Sequence, residues 1–217
     1  MPEINLLDQY PQSNRPIDQR GRIINEKIVK IARQYGKEFF DGDRLYGYGG
    51  YRYDGRWVPI VKRFQQHYNL PPNASILDVG SAKGFMLHDF KKLMPHAKLQ
   101  GIDISQYAID HTMPSVKDLC NVANCNDLPF PDNTFDLVIA INTIHNLPPQ
   151  QCAQSLKEIQ RVSKKHAFIT VDAWRNEEEK TRLLKWILTA QTFMSTQDWQ
   201  DFFKKAGYTG DFYWFIP

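Results

Sequence analysis

The chain has 217 residues, of which 42% are hydrophobic and 24% are charged, and its formal net charge is +3. This length predicts one domain with an appended segment, large enough to bury a sizeable core. The small net charge gives no electrostatic reason to expect nucleic acid or an anionic membrane as a partner, and no apolar run approaches the roughly 20 residues of a membrane helix.

The amino terminus and the cysteines indicate the compartment. The first 20 residues are polar and lack the apolar core of a signal peptide. The three cysteines, Cys120, Cys125 and Cys152, have no Cys-x-x-Cys spacing. They favour reduced thiols over a disulfide framework or a zinc site, so we expect a cytoplasmic protein.

Residues 1–70 are expected to form an N-terminal arm, helices and a loop. The prolines among polar residues in 1–19 predict an arm or a frayed terminus. Between 21 and 40, apolar residues recur at spacings of three and four, which favours one helix. A further helix is predicted from 57 to 68.

The stretch from Tyr46 to Trp57 alternates glycine with aromatic residues. Glycine is costly in a helix, so an ordinary helix is excluded here. One interpretation is an irregular loop whose tyrosines pack on the domain. The other, which we favour, is a mobile lid over an active site, because glycine hinges and aromatic bodies suit that task.

Residues 75–86 predict a short buried strand, a glycine turn and the start of a helix. Gly80 and Gly84 let the backbone pass close to a ligand. A second strand follows over 99–104 and carries Asp103 near its carboxyl end. In open α/β sheets, ligands bind at those ends.

The rest of the chain alternates helices with strands, which predicts a parallel α/β sheet. Six strands are counted in all. The expected strands after the second are 121–126, 135–141, 167–171 and 212–216, and the expected helices are 85–94, 106–111, 150–163, 176–190 and 196–206.

The motif Asp78-x-Gly80-x-Ala82-x-Gly84, with Asp103 downstream, resembles the class I S-adenosylmethionine-dependent methyltransferases, whose first motif is acid-x-Gly-x-Gly-x-Gly. Ala82 replaces the middle glycine and adds one methyl group. An NAD fingerprint fits worse, because its later glycines would fall on Ala82 and Phe85. A second segment, 128–136, resembles the Leu-Pro-Phe-x-Asp-x-x-Phe-Asp segment of small-molecule members.

The resemblance implies a Rossmann-like, mostly parallel sheet sandwiched by helices, here with an N-terminal helical and loop cap. Residues 71–217 would form the methyltransferase domain. The usual family sheet has seven strands, one more than the six counted. An α/β domain with a vacant or degenerate site is the alternative.

The resemblance also implies a cofactor, S-adenosylmethionine, with S-adenosylhomocysteine as product. The backbone of Gly80, Ser81, Ala82 and Gly84 would approach its amino-acid end and ribose. Asp78 would order the turn and the ligand amine.

Three further positions would hold the nucleoside. Asp103 would accept hydrogen bonds from both ribose hydroxyls, and Ile104 would pack on the adenine. Asn124 and Cys125 stand where family members often have an acid-Ala pair near the adenine amino group. Asn124 is otherwise an ordinary turn residue.

Methyl transfer needs acceptor and donor to be positioned and sometimes a proton to be removed. His145 follows the fourth predicted strand, where acceptors lie in the family, and a near-neutral pKa would suit a base. It is our candidate catalytic residue and a candidate acceptor contact, although some members have a histidine here that only shapes the pocket. Asn142 would contact the methionine moiety or form the pocket wall.

The aromatic and basic side chains of the loop are candidate acceptor contacts. Tyr51 and Tyr53 offer hydroxyls or ring faces, and Arg56 suits the methionine carboxylate or an acid on the acceptor. No metal is expected, because the magnesium-dependent catechol type has an acid where Asn142 stands, and Asp172 is followed by Ala173 rather than asparagine.

The leading hypothesis is therefore methyl transfer to O or N of a small-molecule acceptor, by a monomer or homodimer. One alternative is a non-catalytic, cofactor-binding partner subunit. Another is a protein or RNA methyltransferase, although residues 142–145 differ from the Asn-Pro-Pro-Tyr motif of nucleic-acid amino methyltransferases.

Overall fold

The computed structural model describes residues 2–11 and 15–217. The helices of this part of the chain are α1 (Ile17–Ile23), α2 (Glu26–Ala32), α3 (Lys37–Asp41), α4 (Val58–His67), α5 (Phe85–Leu93), α6 (Gln106–Asp110), α7 (Pro149–Val162), α8 (Glu177–Trp186) and α9 (Thr196–Ala206). The strands are β1 (Ser75–Val79), β2 (Lys98–Asp103), β3 (Cys120–Val122), β4 (Phe135–Ile141), β5 (Ser163–Trp174), β6 (Met194–Ser195) and β7 (Asp211–Phe215). None of the described helices is both long and apolar enough to cross a bilayer.

The strands form one parallel sheet with the order β3-β2-β1-β4-β5, and β5 also pairs with both β7 and β6. β7 runs beside residues 168–172, and β6 extends the pairing to 173–174. From β1 the following strands β2 and β3 are added on one side, and β4 and β5 are added on the other side. The switch between β1 and β4 opens a crevice at their carboxyl ends.

Helices cover both faces of the sheet, as adjacent residues of β1 illustrate. Ile76 is buried in a cluster with Phe64 of α4 and Phe90 of α5. Leu77 is buried in the opposite cluster, which includes Ile159 of α7 and Phe203 of α9. Strands apolar on both faces belong in the middle of a parallel sheet. The predicted Rossmann-like α/β class is confirmed.

The sheet has seven strands in the described residues rather than the six counted from the sequence. The missed strand is β6, whose two residues are too few to show a periodic pattern. The predicted bounds of β3 and α8 are also wrong. β3 spans Cys120–Val122 rather than 121–126, and α8 ends at 186 rather than 190.

The amino-terminal arm is packed rather than frayed where it is described. Leu6 is fully buried in the cluster of Phe64 and Phe90. Ile4 donates its N–H to Phe212 O at 2.9 Å, beside a parallel bridge between Glu3 and Phe212. The arm is therefore part of the core. Residues 1 and 12–14, which belong to the same predicted arm, lie outside the described residues.

The single helix predicted over 21–40 is three short helices. Ile24 is extended, and the Asn25 side chain caps α2 by accepting the Ile28 N–H at 3.1 Å. Tyr35 has a φ of +48° and Gly36 caps α3. Side chains such as Asn25 offer the backbone an alternative to helix, so the apolar spacing continues while the helix does not.

Helix α4 belongs to the core of the sheet although it precedes residue 71. Its Ile60, Val61 and Phe64 are fully buried. The division of the chain at residue 70 into an N-terminal region and a methyltransferase domain stays a prediction.

Candidate active site

A cavity of about 1120 Å³ opens at the carboxyl ends of β1, β4 and β5. One side is lined by the glycine turn after β1 and by the ends of β2 and β4. The other side is lined by the amino-terminal arm, the loop 46–57, the segment after α8 and the end of β7. The crevice expected from the strand order is therefore enclosed by residues that precede β1 together with the segment after α8 and the end of β7.

The glycine turn is held to β2 by its backbone. The N–H groups of Gly80 and Ser81 both donate to Ile102 O at 2.8 Å. Gly80 has a φ of +83°, and any side chain there would collide with Thr143 Oγ1. This position requires glycine, because both the backbone conformation and the neighbouring strand exclude a Cβ.

Ala82 adopts a left-handed conformation, with a φ of +48°. Its N–H donates to Asp103 Oδ2 at 2.8 Å. An L-residue in this conformation costs about 1–2 kcal/mol, whereas the glycine of the family motif does not. The substitution is therefore more than an added methyl group: the Asp103 hydrogen bond holds a strained residue.

Asp103 stands at the end of β2 and lines the cavity. Its Oδ1 accepts the Ser105 N–H at 2.8 Å, and its Oδ2 accepts from Ala82. Burial raises the pKa of Asp103, and the backbone donors oppose that shift. Each carboxylate oxygen keeps a second lone pair. Ile104 follows it in the cavity wall and is 54% exposed.

Asp78 is buried beneath the turn and also borders the cavity. Burial and the nearby Asp103 carboxylate raise the pKa of Asp78 to about 8. A positively charged ligand beside it would restore the ionised form. This carboxyl group therefore suits an ammonium ion.

Asn124 and Cys125 line the cavity as predicted from the alignment on Leu128. Asn124 Oδ1 accepts the Asn126 N–H at 3.3 Å, which is the turn role that we had kept as an alternative. An amide oxygen has two lone pairs, so the turn leaves one for a ligand.

The Asn142 side chain is engaged by the neighbouring strand. Asn142 has a φ of +52°, and its Oδ1 accepts the Thr170 hydroxyl at 2.9 Å. Asn142 lines the cavity, and its contact with the methionine moiety stays a prediction.

His145 also lines the cavity but is 4% exposed. Its Nδ1 accepts the Asp172 N–H at 3.1 Å, which assigns the proton of the neutral ring to Nε2. Burial lowers the pKa of His145 to about 3. The expectation that His145 has a near-neutral pKa is wrong. In addition, Nδ1, the nitrogen that would have to take up a proton, already accepts a backbone hydrogen bond.

Asp172 is the acid–base candidate that the sequence reading missed. It lies at the cavity near the end of β5, and its Oδ1 is 3.7 Å from His145 Nε2. Burial raises the pKa of Asp172 to about 7. A carboxyl group that titrates near neutral pH can take a proton from an acceptor. An acid near the carboxyl end of a parallel strand was the available signal.

The three loop candidates differ in position. Tyr51 lines the cavity and packs on Phe39 and Phe40. Tyr53 does not lie where an acceptor contact was expected. It is 38% exposed, lies outside the cavity wall and donates its hydroxyl hydrogen to Asp89 Oδ1 at 2.7 Å.

Arg56 lines the cavity and already has a carboxylate partner. Its Nε lies 2.8 and 3.0 Å from the two Asp54 oxygens, and its Nη1 donates to Tyr10 Oη at 3.4 Å. A ligand carboxylate would therefore compete with Asp54 for this guanidinium group.

The loop 46–57 is tied to elements on both sides of the cavity. The Tyr48 hydroxyl accepts the Leu188 N–H at 2.7 Å, beyond α8. Lys83 Nζ, from the glycine turn, lies 2.6 Å from Asp41 Oδ1 and 3.4 Å from Tyr51 O. Neither Tyr48 nor Lys83 had a local sequence signal, since each partner is distant in the chain. In the described residues, no cluster of three or more His, Cys, Asp or Glu residues is arranged for a metal.

Comparison with known proteins gives the family. Residues 76–166 match the model of a methyltransferase domain. The chain is 31% identical over 188 residues to a demethylmenaquinone methyltransferase of Symbiobacterium thermophilum, covering 80% of this chain and 72% of that protein. It is 30% identical over 106 residues to an uncharacterised methyltransferase of Schizosaccharomyces pombe, covering 43% and 37%.

Solved structures share the fold. The YcgJ protein of Bacillus subtilis has a TM-score of 0.55 at 16% identity, covering 67% of this chain and 66% of that one. A chain from the complex of the Haloferax volcanii Trm112 methyltransferase activator with a methyltransferase has a TM-score of 0.54 at 20% identity, covering 71% and 73%. Together with the sheet and the glycine turn, these relatives show that the chain belongs to the class I S-adenosylmethionine-dependent methyltransferases.

Proposed function

We propose that this methyltransferase uses S-adenosylmethionine to methylate O or N of a small-molecule acceptor. The observation that carries the proposal is the Asp103 carboxylate, which joins the glycine turn to the cavity and keeps a lone pair free on each oxygen. Two neighbouring hydroxyl groups, as on a ribose, are the donors that suit it.

The residues of this side of the cavity fit the cofactor. Asp103 would hold the ribose, Ile104 and Asn124 would border the adenine, and Asp78 would face the amino group. Bound there, the cofactor supplies the methyl group of its sulfonium. The backbone of 80–84 can approach the ligand because the turn has little side-chain bulk there.

The cavity leaves room for a second molecule. Its volume of about 1120 Å³ exceeds the usual range for one small ligand, roughly 300–1,000 Å³. The second side is enclosed by residues of the arm, the loop 46–57 and β7, which favours a small acceptor over a macromolecule. By its name, the Symbiobacterium relative acts on demethylmenaquinone, also a small molecule.

Asp172 would take the acceptor proton on its carboxylate, and His145 would act as a positioning residue. The neutral His145 ring accepts the Asp172 N–H, and its Nε2 lies 3.7 Å from Asp172 Oδ1. The hydrogen bond holds the backbone that carries this carboxylate at the cavity, and burial keeps the carboxylate a better base than an exposed aspartate.

Calorimetric titration with S-adenosylhomocysteine tests the cofactor site. The wild-type protein should bind, and Asp103→Asn should weaken binding by about 1–3 kcal/mol, the scale of a lost hydrogen bond to a charged group. Asp118→Asn, an exposed acid outside the cavity wall, is the matched control and should bind as the wild type does. Unchanged affinity in folded Asp103→Asn would sink the assignment.

Turnover separates the alternatives. Methyl transfer to a member of a small-molecule panel supports the proposal. Cofactor binding without transfer to any class of acceptor would indicate a partner subunit, and transfer to protein or RNA alone would indicate a macromolecular methyltransferase.

A further inference from the structure

Four arginines line the cavity, and we call the side formed by the arm, the loop 46–57 and the end of β7 the acceptor side. The arginines are Arg15, Arg44, Arg56 and Arg175. Two of them have carboxylate partners. Arg56 pairs with Asp54, and Arg175 lies 3.3 Å from Glu3 and 3.9 Å from Glu179. These two guanidinium charges are therefore balanced within the chain.

Arg15 and Arg44 have no carboxylate partner within 4 Å in residues 2–11 and 15–217. The remaining residues, Met1, Gln12, Ser13 and Asn14, carry no side-chain carboxylate. Burial and the positive charge of Arg44 lower the pKa of Arg15, which shows that the two charges repel each other. Asp8, the acid of the arm in the same cavity wall, pairs with Arg63 at 3.8 Å.

The Arg15 guanidinium group is held by aromatic rings. It lies 4.7 Å from the ring centre of Phe215 and 5.8 Å from that of Trp186. Arg44 Nη1 lies against Gly49, where a Cβ would come within 3.0 Å of it. Aromatic stacking thus positions the guanidinium group of Arg15 at the cavity wall, and the absence of a side chain at Gly49 leaves room there for that of Arg44.

This pair of cations lies on the acceptor side. Phe215 is in β7, where it pairs with Asp172 of β5. From β1 to β7 the sheet crosses β4 and β5, which makes three strand spacings, or about 14 Å. Arg15 thus stacks on a residue of the strand that pairs with the strand of the proposed base, and this strand is three strand spacings from β1.

We propose that the methyl acceptor carries an anionic group, a carboxylate or a phosphate, that binds between Arg15 and Arg44 while its apolar body lies on Trp186 and Phe215. The inference rests on the proposed function and narrows its substrate class. Arg15 is partly buried and Arg44 is exposed, and an anion bound between these two cations would relieve their mutual repulsion. Guanidinium groups bind carboxylate and phosphate through two parallel hydrogen bonds, which also orients the ligand.

Titration of the protein saturated with S-adenosylhomocysteine tests the anion site. The probes are two pairs matched in their ring: benzoate with benzamide, and phenyl phosphate with phenol. We expect the favoured anion to bind at least about tenfold more tightly than its neutral partner, which is about 1.4 kcal/mol. The stronger of the two anions identifies the group.

Variants locate the effect. Arg15→Gln and Arg44→Gln should each lower anion affinity at least about fivefold and leave the neutral probe unchanged. Arg22→Gln is the control, since Arg22 is exposed on α1 outside the cavity wall. Equal binding of anions and neutral partners would overturn the proposal. So would variants that weaken S-adenosylhomocysteine and spare the anions, because the arginines would then hold the methionine carboxylate.

The same titration without S-adenosylhomocysteine separates this inference from the proposed function. Anion-selective binding that depends on Arg15 and Arg44 would support the site even in a protein that fails to bind S-adenosylhomocysteine. That failure alone would contradict the proposed function.

Discussion

Two residues 27 positions apart in the chain, His145 and Asp172, form the centre of the proposed acid–base chemistry. The ring is kept neutral and the carboxyl group is kept weakly acidic by the same cause, burial. In the proposed mechanism, the roles expected from the sequence are exchanged: Asp172 accepts the proton and His145 positions Asp172.

The pH dependence of methyl transfer distinguishes these roles. The rate of the wild type should rise with pH through about 7, because Asp172 must lose its proton to act as a base. Asp172→Asn should lower kcat by about 10²–10⁴-fold and remove this dependence. S-adenosylhomocysteine affinity, measured by calorimetry, is the control and should change little. A flat wild-type profile across pH 5 to 8, with chemistry rate-limiting, would remove Asp172 from the mechanism.

His145→Ala should act differently from Asp172→Asn. Removing the ring would let water reach the carboxyl group whose pKa burial raises, so the midpoint of the rate profile should move to lower pH rather than vanish.

At the scale of elements, the loop 46–57 covers the cavity through contacts with distant segments. Gly47 O accepts hydrogen bonds from the Arg20 guanidinium group, and the Tyr48 hydroxyl accepts the N–H groups of Leu188 and Thr189. The Tyr48 contacts are among those that must break before the loop can open, together with the Arg20–Gly47 and Lys83–Tyr51 contacts. That the loop moves during the reaction stays a prediction.

Limited trypsin digestion measures that opening. Tyr48→Phe removes the acceptor of two backbone donors, at a cost of about 1–3 kcal/mol, so cleavage after the exposed Arg52 should be several times faster. Cofactor and acceptor together should slow cleavage of the wild type. Tyr46→Phe is the control, since its hydroxyl bonds to none of the residues that the structure describes. The same cleavage rate in all three proteins would show that the loop is fixed by packing.

For the whole molecule, the raised pKa values of two buried aspartates make the free energy of unfolding depend on pH. In the folded protein the pKa of Asp78 is about 8 and that of Asp172 about 7, against 3.8 without burial. As pH rises from about 4 to 8, the unfolded chain loses these protons first. The free energy of unfolding therefore falls over this range. His145 has the opposite effect, because its stabilising contribution is lost as pH falls from 6.5 toward 3.

The aspartate contribution can be isolated by comparing unfolding curves of the ligand-free wild type and Asp172→Asn. Asparagine does not titrate, so the variant should gain stability relative to the wild type as pH rises from 4 to 7. The gain is at most about 1.4 kcal/mol for each pH unit. Urea unfolding at pH 5 and pH 7 measures it. A constant difference between the two proteins would contradict the raised pKa of Asp172.

Elements whose signals lie between neighbouring residues could be predicted without the fold. The apolar run of β4, the glycine turn after β1 and the helix α9 with Gly207 at its end all lie where the pattern predicts them. Turn chemistry and periodicity act between neighbours in the chain, so they can be read without the fold. Asp78, Gly80 and Asp103 were found in the same way, because a glycine turn and the acids near strand ends define one edge of a parallel sheet.

Which distant residues line the cavity together depends on tertiary packing and could not be predicted from local patterns. Burial, which no local pattern reports, set the pKa values of His145 and Asp172. Packing placed Tyr53 on Asp89 outside the cavity, although Tyr53 is only two residues from Tyr51 in the chain. It also seated Arg15 beside Phe215, 200 residues away. Such contacts depend on the arrangement of whole strands and helices, and therefore appear only when the chain has folded.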